Sequence, residues 1–324
     1  MTKITFIEAI NQALLQEMES DKSVIILGED VGMGGVFRAT DHLREKFSTA
    51  RVIDTPLSEA GIIGTAVGMA ANGLKPVVEI QFNEFIFIGY HQLKSNAARL
   101  RSRSRGRFSC PLVIRTPYGG GIRPLELHSE SMEGIYSHTP GIKVVVPSTP
   151  YDAKGLLISA IRDPDPVVFL EPTRLYRSVK EEVPENSYTL PIGKASVLRE
   201  GKDLTIITFG GMAKLSLDAG DILKEQNINA EIIDLRTIYP LDIETIINSV
   251  KKTGRVVIVH EDARTCGIGA EIIAQLSENI LTELLAPPVR VTGYDVPFPL
   301  YKFEDYYLPN VDKILAGVKR VMEY

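Results

Sequence analysis

The chain has 324 residues, is 44% hydrophobic and 24% charged, and carries a formal net charge of −5. That length exceeds the roughly 250–300 residues over which a single core grows, so two domains are expected. The acidic balance argues against a nucleic-acid-binding surface, no apolar run reaches the roughly 18 residues of a membrane span, and Cys110 and Cys266 stand too far apart for a disulfide framework or a zinc site.

Thr5-Phe6-Ile7-Glu8 has capping-box spacing and opens a first helix to about Glu19. A signal peptide would place a basic stretch and an apolar core there instead, so a cytoplasmic protein is expected. Apolar runs rich in Val and Ile follow at Val24–Leu27, Arg51–Asp54, Pro76–Gln81, Leu112–Arg115, Lys143–Val146 and Val167–Leu170. They show little polar alternation, as strands covered on both faces do. Helical stretches separate them, notably Ser58–Ala71, Phe85–Leu100 and Tyr151–Arg162. Arg174–Pro191 is charged and aperiodic and reads as an external linker. A second set then runs Leu204–Phe209, a helix through Ala213–Glu225, Ala230–Leu235, a helix near Ile243–Lys251, Arg255–His260, a helix from Ala270, Val289–Gly293 and a terminal helix Val311–Glu323. The fold class is α/β, with two parallel-sheet domains. The boundaries are placed at 1–178 and 202–324, with a linker over 179–201.

The segment Asp54-Thr55-Pro56-Leu57-Ser58-Glu59-Ala60-Gly61 turns a strand into a helix of small residues. Pro56 cannot extend a ladder and Ser58 is a good N-cap, so the helix begins at or next to Glu59. A carboxylate there has two readings. One is a first-turn acid complementing the helix dipole, which stabilises by about 0.3–1 kcal/mol. The other is proton chemistry at a buried cofactor nitrogen. Gly28-Glu29-Asp30-Val31-Gly32-Met33-Gly34-Gly35-Val36-Phe37 lacks the ending of a P-loop and the third glycine of a dinucleotide loop, and reads as a tight turn with positive φ. Gly119-Gly120-Gly121 reads as backbone passing close to something. Gln81 and Phe85 lie where a strand end faces a ligand crevice, suited to hydrogen bonding and stacking on a flat ring. His128 lies in a loop, where an imidazole is suited to an anionic or carbonyl substrate. The arginine run 99–107 lacks interleaved aromatics and reads as a subunit contact or a solvated helix end.

Together these segments resemble the β subunit of the E1 component of 2-oxoacid dehydrogenase complexes, transketolase-like thiamin diphosphate enzymes of the pyruvate and branched-chain type. The carriers are Gly28-Glu29-Asp30-Val31-Gly32, Thr55-Pro56-Leu57-Ser58-Glu59, Glu79-Ile80-Gln81-Phe82, His128-Ser129, Pro140-Gly141-Ile142-Lys143-Val144-Val145, Asp165-Pro166-Val167-Val168-Phe169-Leu170-Glu171-Pro172 and Asp234-Leu235-Arg236-Thr237-Ile238-Tyr239-Pro240-Leu241-Asp242. Their order covers essentially the whole chain.

The resemblance implies a transketolase-like pyrimidine-binding domain followed by a transketolase C-terminal domain. It implies that Glu59 exchanges a proton with N1′ of the cofactor's aminopyrimidine, and that Phe85 lies against that ring with Leu57 and Gln81 nearby. It implies that His128 faces the substrate and assists acyl transfer to a lipoyl group. Glu130 departs from the family's usual His-Ser-Gln and brings a charge to the mouth of the site. A structural potassium ion is implied at Leu112, Ala160, Ile161, Asp163 and Asp165, although Asp165 stands where Asn is common. Such enzymes hold Mg²⁺ and the diphosphate on Gly-Asp-Gly followed by Asn-Asn, and this chain contains neither. A separate α subunit is therefore expected to supply that half, in an α2β2 tetramer that acts on a small 2-oxoacid and on a lipoyl-bearing E2 acyltransferase. The alternatives are an acetoin-cleaving β subunit, a scaffold subunit without chemistry, and a nucleotide-binding dehydrogenase.

Overall fold

The capping box at the N-terminus is formed as the spacing requires. The Thr5 hydroxyl accepts the Glu8 N–H at 3.3 Å, and the Glu8 carboxylate accepts the Thr5 N–H at 2.7 Å. These bonds start the Phe6–Ser20 helix. The structure is a computed structural model and describes residues 1–324.

In chain order the strands are β1 (Thr2–Thr5), β2 (Val24–Gly28), β3 (Val52–Asp54), β4 (Lys75–Glu79), β5 (Val113–Tyr118), β6 (Lys143–Val145), β7 (Val167–Pro172), β8 (Lys180–Val183), β9 (Ser196–Arg199), β10 (Leu204–Thr208), β11 (Ala230–Asp234), β12 (Thr237–Tyr239), β13 (Val256–Val259) and β14 (Val289–Val291). They form a seven-stranded sheet ordered β12-β6-β7-β5-β4-β2-β3, a five-stranded sheet ordered β14-β13-β10-β11-β9, and the pair β1-β8. Every pairing among the apolar strands expected from the sequence is parallel. The four strands not foreseen, β1, β8, β9 and β12, all pair antiparallel at edges. Two of them, β8 and β9, lie inside 179–201, the stretch expected to be a linker. They are short and partly exposed, so they lack the doubly covered apolar signature. β12 joins the first sheet although it belongs to the second half of the chain.

One cluster of 33 buried apolar residues runs through both sheets. It takes Leu27, Ile114 and Leu170 from the first and Ile207, Ile233 and Ile258 from the second. The stretch expected as one helix over Phe85–Leu100 divides into Ile86–His91, a π-turn over Gln92–Ala97 and Leu100–Arg103. No helix is long and apolar enough to cross a membrane.

At the junction of the two sheets, Arg236 Nη2 lies 2.7 Å from Asp152 Oδ1. Beside them Asp234 is fully buried, and burial, reinforced by Asp152, pushes its carboxyl up to about 7. A folded-state pKa above the unfolded value means that ionisation opposes folding. The penalty grows as pH rises from the unfolded carboxyl range and is complete above about 7. Asp234→Asn is therefore expected to flatten the fall in melting temperature between pH 5 and pH 8, and an undiminished fall would remove Asp234 as its cause.

Candidate active site

Glu59 occupies the first turn of the Glu59–Ala71 helix, as the Pro56 and Ser58 signals require. The Ser58 hydroxyl accepts the Gly61 N–H at 3.4 Å. Only 4% of Glu59 is exposed, yet it joins none of the chain's ion pairs. Gly89, in the Ile86–His91 helix, lies directly on this turn. A Cβ there would sit 2.8 Å from the Glu59 carbonyl oxygen and 2.6 Å from Ile63 Cδ1. Glycine at 89 therefore lets the helix that follows Phe85 press against Glu59.

A second carboxyl stands beside it. Glu29, at the end of β2, is 7% exposed, and burial followed by the charge on Glu59 pushes its pKa up. Sequence reading assigned Glu29 no role, because a charged residue after a strand is ordinarily solvated. Its position in a glycine-rich turn directly after a strand is the available signal.

Phe82, Phe85 and His128 form one aromatic wall. The His128 ring centroid is 4.2 Å from Phe82 and 5.5 Å from Phe85, and the two phenylalanine rings meet edge-on at 5.9 Å. The structure thus brings together two residues that the sequence placed 43 positions apart. His128 is half-buried, and its Nδ1 donates to the Glu126 carbonyl at 2.6 Å. That bond leaves Nε2 for a ligand. Buried Asn83 stitches the wall together: its amide donates to the Glu130 carbonyl at 3.2 Å and its Oδ1 accepts the Tyr136 hydroxyl at 2.9 Å. Gln81 is half-buried and Leu57 is 77% exposed, so Leu57 makes no wall within this chain.

The glycine turn after β2 rests on a buried charge network. A Cβ at Gly35, where φ is +69°, would fall 2.1 Å from Glu79 Oε1. Glu79 faces Arg115 across the β4–β5 register, and Arg115 Nη1 donates to it at 2.8 Å. Arg115 also donates to both oxygens of Glu171, at 2.7 and 3.0 Å, and the Tyr176 hydroxyl completes the set at 2.6 Å. No side chain of this turn reaches Glu59 by an ion pair, and the turn holds none of the lysine of a phosphate loop.

The expected potassium residues lie together in the chain's hydrogen bonding. The Leu112 carbonyl accepts the Val167 N–H at 2.9 Å and the Ala160 carbonyl accepts the Asp163 N–H at 3.2 Å. Ile161 is buried beside them on the same helix. Both oxygens of Asp163 take the Lys143 ammonium, at 2.7 and 2.6 Å, and Asp165 takes Arg101 at 2.6 Å. The carboxylates are already matched by cations of the chain. No group of three or more His, Cys, Asp or Glu side chains that could hold a metal ion occurs in the structure.

The residues present suit the pyrimidine end of a thiamin cofactor. A buried acid without a counter-cation stands near an aromatic wall.

Residues 2–179 match the family described as "Transketolase, pyrimidine binding domain", and residues 193–314 match "Transketolase, C-terminal domain". The chain is 52% identical over 322 residues to the pyruvate dehydrogenase E1 component subunit beta of Acholeplasma laidlawii, covering 99% of this chain and 98% of that one. It is 51% identical over 325 residues to the same subunit of Bacillus subtilis, at full coverage of both. A solved structure titled "Split gene transketolase, inactive beta4 tetramer" shares the fold with a TM-score of 0.82 at 22% identity, covering 99% of this chain and 98% of that one. The chain belongs to the transketolase-like E1 β subunits of 2-oxoacid dehydrogenases.

Proposed function

We propose that this chain is the pyrimidine-binding half of a thiamin diphosphate-dependent E1. With an α subunit it decarboxylates pyruvate and passes the acyl group to the lipoyl arm of an E2 acyltransferase. The observation that carries this reading is Glu59: buried at a helix start, free of any counter-cation, and pressed by the helix that follows Phe85. Thiamin diphosphate, when bound, supplies the nucleophilic carbon that attacks the 2-oxo group. Glu59 then holds and returns a proton at N1′, general acid–base assistance that typically contributes about 10²–10⁴-fold. Phe82 and Phe85 exclude water and fix the plane of the ring. His128 Nε2 faces the acyl group, its ring oriented by the Glu126 carbonyl.

Pyruvate is favoured over branched-chain 2-oxoacids because the curated relatives at about half identity are pyruvate dehydrogenase subunits. The test mixes this chain with its α subunit, thiamin diphosphate and Mg²⁺ and follows an artificial electron acceptor on pyruvate, branched-chain 2-oxoacids and acetoin. Pyruvate is expected to give the highest kcat/KM. Preferential turnover of acetoin or of a branched acid, or no turnover at all, contradicts the proposal.

A further inference from the structure

The triple glycine and the acids of the second domain find a common explanation in the loop that carries His128. Gly119-Gly120-Gly121 leaves β5 and leads into that loop. Here carboxylates of the second domain grip its backbone. Glu261 Oε2 accepts the Gly120 N–H at 2.7 Å, and Glu304 Oε1 accepts the Gly121 N–H. Both acids are nearly fully buried, at 5% and 1% exposure. Arg174 Nε donates to the Gly120 carbonyl at 3.1 Å from the other side. A side chain at any of these three positions would press on its neighbours. A Cβ would lie 2.9 Å from Glu261 at Gly119, 2.7 Å from Leu308 at Gly120 and 2.7 Å from Arg174 at Gly121.

The far end of the loop also lies against the second domain. A Cβ at Gly134 would fall 3.2 Å from Asp262 Oδ2 and 3.4 Å from the Cys266 carbonyl oxygen. Midway, Arg123 pairs with Asp305 at 2.5 Å. Between these attachments stands His128, against Phe82 and Phe85 of the first domain.

We infer that Glu261 and Glu304 are positioning residues that clip the start of the His128 loop to the second domain. This inference rests on the role given to His128 above. A backbone amide held by a buried carboxylate is held more strongly than by a neutral acceptor. The clip therefore fixes the histidine for lipoyl transfer while leaving Glu59, in the first domain, untouched.

Glu304→Gln preserves volume and one acceptor oxygen and removes the charge. In the full chain with its α subunit, amide exchange over residues 119–134 is expected to rise about tenfold, as local opening becomes easier. Lipoyl acylation is expected to slow about tenfold, with decarboxylation measured by an artificial acceptor within about twofold of wild type. Glu261→Gln, acting on Gly120, provides an independent second variant with the same expected split. Unchanged exchange in both variants overturns the clip, as does a parallel loss of the two steps. Exchange is read whether or not the enzyme turns over. An inactive wild-type complex therefore overturns the functional reading, while the exchange result still decides the clip.

Discussion

Glu59→Gln is expected to lower pyruvate turnover of the reconstituted pair by about 10²–10⁴-fold, the usual contribution of a positioned acid–base group. The loss should appear in kcat, because the proton at N1′ matters for activation of the cofactor rather than for substrate binding. Stability should change little. Glu59 has no ion pair to lose, and a first-turn acid contributes only about 0.3–1 kcal/mol through the helix dipole. Turnover and melting temperature measured on the same preparation separate the two roles. If turnover survives and only the melting temperature moves, Glu59 is a helix-dipole residue.

The second large effect is structural. Arg115 is 1% exposed between Glu79 and Glu171, and burial alone would push the Glu79 carboxyl up. The two carboxylates hold the guanidinium protonated far above any working pH, against its own burial. Arg115→Leu leaves two carboxyls facing apolar surroundings without a cation, and breaking a buried pair in this way costs about 3–5 kcal/mol. Chemical denaturation should show that loss. Because Glu79 also underlies Gly35, the glycine turn beside Glu29 should loosen, seen as faster amide exchange over residues 28–37. An Arg115→Leu chain as stable as wild type would mean that the network is dispensable for the sheet.

Much of this architecture is legible in the sequence. The doubly covered strands Val24–Gly28, Lys75–Glu79 and Val167–Pro172 announce themselves as runs of Val and Ile, and Pro56 with Ser58 marks the helix that starts at Glu59. What stays hidden depends on pairing across distance. Lys180–Val183 is a strand because Thr2–Thr5 lies alongside it, and its own residues KEEV carry no such signal. The same holds for the site. Glu59, Phe85 and His128 stand out one by one, whereas Asn83 and Glu29 acquire meaning only once the first domain is folded, and the carboxylates on Gly120 and Gly121 only once the two domains are packed. The triple glycine shows that backbone passes close to something. Only the fold shows that Glu261, Leu308 and Arg174 are what it passes.

The division of the cofactor between two polypeptides is the claim on which the functional reading turns. Calorimetric titration of thiamin diphosphate in Mg²⁺ tests it directly, into this chain alone, into the α subunit alone and into their mixture. Full affinity only in the mixture, weakened there by Glu59→Gln, is the predicted result. Equally tight binding by this chain alone, or binding by the mixture that ignores Glu59, would contradict it.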